Sequence, residues 1–359
     1  MANVLNKVKG WFVNGFWKTF CVAWIWTLLC KKWIWQDFCV NLLYKKFDKW
    51  KAWLYLAPAI VLLLIFTVWP IFNTLRMAFW NKYNMLQEIG GTLKFNFGVQ
   101  NFVDVINYQR FIDCLKTTMI LCVATVPIST FLALVIAVCL NAIKPFRRFL
   151  QTIFFLPYVT NSIAIGMVFE AMFNIVGYKA IMNPDGTFSH VSVGIINNII
   201  GIFGFEPINW INQGSGYWQN IAVLIIYIVW NALPFKILIL LGGLQSVNKQ
   251  YYEAAKVDAT PRWRVFTRIT VPLLSPMITY VVITGFIGGF KEYSSIVGIF
   301  GEDMQAVGGK SLNTMVGYIY DSLARNQQGR ASAAALILFG IIFVVTLINL
   351  YVSKKNTHY

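Results

Sequence analysis

Residues 246–272, Ser-Val-Asn-Lys-Gln-Tyr-Tyr-Glu-Ala-Ala-Lys-Val-Asp-Ala-Thr-Pro-Arg-Trp-Arg-Val-Phe-Thr-Arg-Ile-Thr-Val-Pro, form a charged island between two long apolar stretches. Local chemistry predicts two short helices with a bend. Asn248 can accept from the free amides of a first helix, and Thr260 followed by Pro261 is a cap-then-proline start for a second. Glu253 and Asp258 ride the first. In the second, Trp263, Phe266 and Ile269 recur every third residue, while Arg262, Arg264 and Arg268 lie elsewhere, near lipid headgroups. Such a knuckle protrudes and packs against something.

The composition around it is that of a membrane protein. Of 359 residues, 58% are hydrophobic and only 12% charged, outside the range of soluble domains. The formal charge of +16 does not point to nucleic acid, because the basic residues punctuate apolar spans instead of sharing one polar surface. Six cysteines without a Cys-x-x-Cys and only two histidines, His190 and His358, indicate neither a zinc site nor a disulfide framework, and no metal site is expected. Catalytic Ser-His-Asp or His-Glu-x-x-His sets cannot be assembled from them, so no catalytic residue is expected on this chain.

Six stretches, 54–75, 117–142, 150–174, 218–242, 272–299 and 333–352, are each long and apolar enough to cross a bilayer about 30 Å thick. The fold class this predicts is all-α, a polytopic transmembrane bundle of six core spans. Segments 1–52, 143–149, 243–271 and the tail after 352 carry 19 Lys and Arg against 4 acidic residues, whereas the alternate segments carry 9 against 8. Positive residues stay in the cytoplasm, which places both termini and the knuckle there. Prolines 58, 70, 127, 157, 234, 272 and 276 lie in or beside the spans, where bundle neighbours can satisfy freed carbonyls. Residues 1–52 interleave lysine with tryptophan and read as amphipathic helices on the cytoplasmic membrane face. A signal peptide would need a small-residue cleavage site after the run ending Cys30-Lys31-Lys32; a genuine extra span over residues 11–30 is the other alternative. Asn183-Pro184-Asp185-Gly186 is turn material in an outer segment. Gly308-Gly309-Lys310-Ser311 imitates the end of a phosphate loop but has Met304 where the first glycine belongs.

Glu253-Ala254-Ala255-x-x-Asp258, followed by Phe266, Ile269 and Pro272, resembles the cytoplasmic coupling loop of membrane subunits of binding-protein-dependent ABC importers, and more specifically the sugar-permease branch. That pattern normally has Gly after the Asp; here Ala259 stands there. Leu156-Pro157-Tyr158, Phe290-Lys291, and the ending from Tyr318-Ile319-Tyr320 through Gly329-Arg330-Ala331-Ser332-Ala333 are similar too, and the resemblance covers the chain from about residue 53. It implies a type I importer permease architecture for 53–359, with loop 246–271 coupling to ATPases through Glu253, Ala254, Ala255, Asp258, Ala259 and Phe266. Glu253 would pair with a basic residue of the ATPase, and the two alanines would let the helix enter a groove. It also implies a second homologous permease, two ATP-binding cassette subunits that hold the ATP and magnesium, an extracellular or periplasmic solute-binding protein, and a bacterial plasma membrane location. No cofactor is expected on this chain.

Polar groups at membrane depth default to function or to pairing. The charged ones are Glu170, Lys236, Lys291 and Glu292; the ordinary reading is that Lys236 snorkels and that Glu170 or Lys291 finds an internal partner. Matching Pro272-Leu273-Leu274 and Trp230-x-x-x-Pro234 onto the maltose-importer subunit brings its substrate contacts onto Trp230, Ala232, Phe235, Gly285, Gly288, Gly289, Glu292 and Tyr293. Aromatic rings and a carboxylate suit an oligosaccharide. Phosphorylated glycerol is the alternative cargo and would favour the deep cations Lys236 and Lys291. A stand-alone secondary transporter is the alternative class, but it should show paired interrupted segments repeating between halves, and no internal repeat is visible.

Overall fold

The computed structural model describes residues 51–91, 96–143, 147–174, 179–182, 188–191, 194–212, 214–301 and 312–356. The expectations for residues 1–50, for the turn at Asn183–Gly186 and for Gly308–Ser311 lie outside them. The chain divides into two units, Met1–Asn73 and Thr74–Tyr359. Within the first, α1 (Lys51–Leu63) passes through a π-helical turn at Leu64–Val68 into α2 (Trp69–Ala78), which enters the second unit. Tyr55–Ala78 is an apolar stretch of 24 residues, long enough to span.

In the second unit, short helices α3 (Met85–Ile89) and α4 (Gln100–Ile106) lead into α5, the 34-residue helix Gln109–Ala142. Its buried face carries many small or polar residues, Cys114, Thr117, Thr118, Cys122, Thr125, Ser129, Thr130, Ala133 and Ala137, among Phe111, Leu121, Val126, Leu134 and Leu140. Its other face turns Val123, Ile128 and Phe131 outward. This inversion of the soluble pattern follows from the solvent, because lipid is as apolar as leucine and helices associate by close approach of small residues. The hydroxyls of Thr118 and Thr130 donate back to Cys114 and Val126 carbonyls at 2.8 and 2.7 Å, so no buried donor is left over.

The remaining spans gather on α5. α6 (Arg147–Val159) and α7 (Ser162–Phe173) follow, then strands β1 (Lys179–Met182) and β2 (Phe188–Val191), α8 (Ile195–Ile202) and α9 (Tyr217–Ser246). The knuckle comes next, α10 (Lys249–Val257) with α11 (Arg262–Val265), a π-helical turn at Phe266–Thr270 and α12 (Val271–Leu273). The chain ends in α13 (Ser275–Phe290), α14 (Ser294–Phe300), α15 (Met315–Ala324) and α16 (Gln328–Asn356). α9, α13 and α15 pack on α5, and α16 closes over α13, α15 and α4. Three apolar clusters run along this axis, one around Phe111, Met315 and Ala333, a second around Leu121, Leu224 and Ile296, and a third around Ala137, Leu240 and Leu274.

The all-α bundle of up to six spans is borne out, with three local features that apolar length does not show. The fold is helical, but the segment after α7 adds an antiparallel ribbon in which Lys179 faces Val191 and Met182 faces Phe188. Neither stretch 150–174 nor stretch 272–299 is one straight helix. The first bends by 98° between α6 and α7, where Pro157 precedes Thr160 and Asn161, whose side chain accepts from the Ile163 amide at 2.9 Å and starts α7 afresh. The second bends by 68° at Leu274 between Pro272 and Pro276, and α13 stops at Phe290. Hydropathy measures apolar length and is blind to such breaks. Among the described residues four helices are long and apolar enough to cross as single pieces, and the count reaches six when each bent pair is one span.

α7 and α14 cross at a glycine contact. A Cβ on Gly166 would lie 2.7 Å from Gly298 Cα, and one on Gly298 would lie 3.0 Å from Gly166 Cα, so backbone meets backbone with no flexible side chain to yield. Gly166→Ala is therefore expected to lower the thermal midpoint of the detergent-solubilised chain by forcing the helices apart, at a cost of about 1–3 kcal/mol. Gly201→Ala, where a Cβ meets nothing within 4 Å, is the control that should leave the midpoint unchanged.

The knuckle's bend rests on one residue. Asn248 caps α10 as its chemistry predicts, accepting from the Gln250 amide at 3.0 Å. At the other end the Thr260 amide reaches the Ala255 carbonyl at 2.9 Å and the Ala259 amide reaches Lys256 at 3.1 Å, the paired bonds of a Schellman ending. That ending needs a left-handed residue, and Ala259 supplies it at φ +46°. Pro261, not Thr260, is the cap of α11. The apolar face predicted beyond it also changes: Phe266 and Ile269 turn inward while Trp263 stays 73% exposed, since the π-turn resets the helical phase. A left-handed alanine costs about 1–2 kcal/mol that glycine does not. Ala259→Gly should stabilise the knuckle by about 1 kcal/mol, seen as roughly fivefold slower hydrogen exchange at the amides of positions 259 and 260.

Candidate functional site

Two sites take shape, one at the knuckle and one between the spans. On α10, Glu253 and Ala254 are exposed, Asp258 is exposed at the C-terminal cap, and Ala255 is 5% exposed, turned into the chain's own body. Of the alanine pair, only Ala254 is exposed. Tyr252 Oη and Thr270 Oγ1 lie 3.4 Å apart and join α10 to the π-turn. Phe266 packs on the cluster of Leu240, Leu244, Leu274 and Val281, which roots the knuckle in α9 and α13. A cavity of about 580 Å³ lies behind the knuckle, walled by Asn141, Tyr252, Ala255, Arg262 and Phe266 among others.

The second site is a cavity of about 280 Å³ between α5, α6, α9 and α13. Its wall brings together six of the eight residues expected in a substrate path: Ala232, Phe235, Gly285, Gly288, Gly289 and Glu292. Trp230 and Tyr293 turn elsewhere, Trp230 to Phe169 at 5.3 Å and Tyr293 to Tyr320 at 4.7 Å. Both sit one helical face away from the residues that line the space. Tyr158, delivered by the end of α6 just before its break, stacks on Phe235 at 6.0 Å and 19°, so the cavity has an aromatic wall. Thr125, Ser129 and Asn231 add hydrogen-bonding groups.

The glycines have different reasons. A Cβ at Gly289 would meet Cys122 Sγ at 2.9 Å, so this glycine permits α13 to close on α5. At Gly288 a Cβ would meet nothing within 4 Å, so this one opens space. The carboxylate of Glu292 accepts from the Ser295 amide at 3.2 Å and thereby helps start α14 after the three-residue break.

Lys236 departs from the snorkelling expected of it. It is 4% exposed, and its Nζ donates to the Ser129 hydroxyl at 2.7 Å, the Thr130 hydroxyl at 3.0 Å and the Val126 carbonyl at 3.3 Å. Span position alone could not show that its face of α9 meets the polar stripe of α5. Lys291 is exposed at the end of α13, and among the described residues neither it nor Glu170 forms an ion pair.

On the side opposite the knuckle, Asn101 is 1% exposed and its amide donates to the carbonyls of Ala78 and Trp80 at 3.0 and 2.8 Å, fixing the loop after α2. Arg330 pairs with Asp104 at 3.4 Å and Arg110 with Asp321, which ties α16 to α4 and α15 to α5.

Residues 109–358 match the family described as the binding-protein-dependent transport system inner membrane component. The chain is 28% identical over 320 residues to the lactose transport system permease protein LacF of Rhizobium radiobacter, covering 87% of this chain and 97% of that one. It is 30% identical over 259 residues to the arabinooligosaccharides transport system permease protein AraP of Halalkalibacterium halodurans, covering 70% and 75%. In fold it superposes with a TM-score of 0.68 on a chain of a bacterial ABC transporter that imports the acidic polysaccharide alginate, at 23% identity over 88% of this chain and 99% of that one. With 250 consecutive residues matched from the start of α5 to residue 358, this multi-pass membrane protein belongs to the family of binding-protein-dependent transport system inner membrane components.

Proposed function

We propose that the chain is the permease subunit of an ATP-driven importer, that the cavity between α5, α9 and α13 is its part of the path for an oligosaccharide, and that the knuckle receives the ATPase. The single observation that carries this reading is that six path residues matched from the sugar permeases converge on one cavity, although they come from two helices separated by the knuckle. The Tyr158–Phe235 wall suits the apolar face of a sugar ring, and Asn231, Thr125, Ser129 and Glu292 suit its hydroxyls. Lactose and arabinooligosaccharide permeases among its relatives support the same cargo class. A second homologous permease, two ATP-binding cassette subunits holding ATP and magnesium, and an external binding protein complete the machine. A solved fold neighbour is in complex with a periplasmic protein carrying an alginate pentasaccharide, which supports the last of these.

ATP-driven closure can shift the bundle only through contacts that differ between its two states. Exposed Glu253 and Ala254 are the proposed contact, and Phe266 carries the motion into the cluster that holds α9 and α13. The charge asymmetry of the segments puts the knuckle and both termini in the cytoplasm of a bacterial plasma membrane. A cysteine at Lys256, exposed on α10, should resist an impermeant thiol reagent applied to intact cells and react after permeabilisation.

Two variants separate coupling from path. Glu253→Ala should abolish uptake and reduce the ATPase that copurifies, since losing one partner of an interfacial charge pair costs roughly 2–5 kcal/mol, or about thirtyfold or more in affinity. Gly288→Leu, which fills open space, should abolish uptake while the ATPase copurifies at wild-type yield. Uptake at the wild-type rate by both variants would overturn the proposal.

A further inference from the structure

The cavity holds a charge that the sugar-path reading leaves unused. An ammonium has three donors and no acceptor, and Lys236 spends all three on neutral oxygens: two hydroxyls and a carbonyl. Among the described residues no carboxylate lies within the 4.0 Å of an ion pair. Its hydrogen bonds are satisfied while its charge is not. A buried charge without a counter-charge is the least favourable arrangement a bundle can hold, and it persists in membrane helices chiefly where function uses it.

The ammonium stands at the cavity wall, and the wall is thin there. A Cβ on Gly285 would come within 3.2 Å of Nζ, so α13 carries a glycine at the point where a side chain would cover the charge. Among the described residues the one carboxylate lining the cavity is Glu292, seven residues further along and just past the end of α13, where it is engaged by the Ser295 amide. The cavity is thus cationic at the Lys236 end and anionic at the Glu292 end, with the Tyr158–Phe235 wall between α6 and α9. A flexible lysine stem lets Nζ lean toward Gly285 and exchange a neutral acceptor for an anionic oxygen, and charge-assisted bonds are roughly twice as strong as neutral ones.

We infer that Lys236 is a specificity-determining residue that seats an anionic group of the cargo, so that the path is built for a saccharide carrying a carboxylate, sulfonate or phosphate. This rests on the reading of the cavity as the substrate path. The charge is fixed by the fold, and the neutral part of the cargo lies toward Glu292, where hydroxyls donate.

The test uses the purified assembly and thermal shift at constant ionic strength, with glucose, glucuronate and glucose 6-phosphate as probes. The expected result is a larger upward shift with glucuronate or glucose 6-phosphate than with glucose, the two arms separating sugar acid from sugar phosphate. Lys236→Met should lose that difference while keeping the size-exclusion profile of the assembly. Lys236→Arg, which keeps the charge, should retain it and guards against a folding defect in the methionine variant. No anion preference in the wild-type assembly, or a preference that survives Lys236→Met, overturns the inference. Gly288→Leu tells the two readings apart: shifts that persist in this filled cavity sink the path assignment itself, whereas their loss leaves Lys236 to be judged on the charge variants alone.

Discussion

A helix in hydrocarbon cannot break unless every amide and carbonyl it frees finds a partner inside the protein, and this constraint places the cavity. The chain breaks at Thr160–Asn161 and again at Lys291–Tyr293, and each break is paid for by a side chain in the sequence. Asn161 caps α7, and Tyr227 of α9 donates to the Ser162 carbonyl at 2.6 Å, so the first break is held from across the bundle. Glu292 accepts from Ser295 at the second. Because both breaks turn α6 and α13 aside, Tyr158 and the Gly285–Glu292 edge end beside open space, and that space is lined with the groups that could not have been left in lipid.

The central helix α5 makes that convergence possible. Its buried face of Cys, Thr, Ser and Ala admits α9 and α13 closely enough for the Lys236 ammonium to reach Ser129 and Thr130, and for Gly289 to approach Cys122. A larger residue in this stripe would separate the walls and leave Lys236 without acceptors. The close approach that stabilises the bundle and the chemistry that lines the path are therefore one packing arrangement seen from two sides.

How much of this could be read in advance follows from what each signal measures. Asn248 was legible because a cap is local: the few residues around it fix the geometry. Ala259 was flagged only by the resemblance, and its left-handed angle shows in the structure. Six path residues came from resemblance, which transfers positions along a helix well. It also named Trp230 and Tyr293, which lie outside the wall of that cavity: Trp230, midway along α9, turns to Phe169, and Tyr293, in the break before α14, turns to Tyr320. Hydropathy gave the lengths of the spans and hid the 98° and 68° bends, since a broken apolar helix is as apolar as a straight one. The Gly166–Gly298 crossing was invisible because each glycine is explained only by the other, far along the chain. Lys236 was misjudged for a related reason: snorkelling is the rule for a lysine facing lipid, and only the tertiary fold says which face it has.

The route from knuckle to cavity can be argued from the same contacts. Phe266 lies on a cluster that includes Leu240 and Leu244 of α9 and Val281 of α13, and four residues beyond Val281 stands Gly285, against the Lys236 ammonium. In the proposed coupling, a displacement of the knuckle that tilts α13 changes the gap between Gly285 and α5, because Phe266, Leu240, Leu244 and Val281 are packed in one cluster and pass strain to one another. α6 is rooted in the same cluster through Leu150 and Phe154, and it carries Tyr158 just before its own 98° bend. In the proposed coupling, a push at the knuckle therefore reaches the cavity through this one cluster, which touches α6, α9 and α13 on three sides of the space.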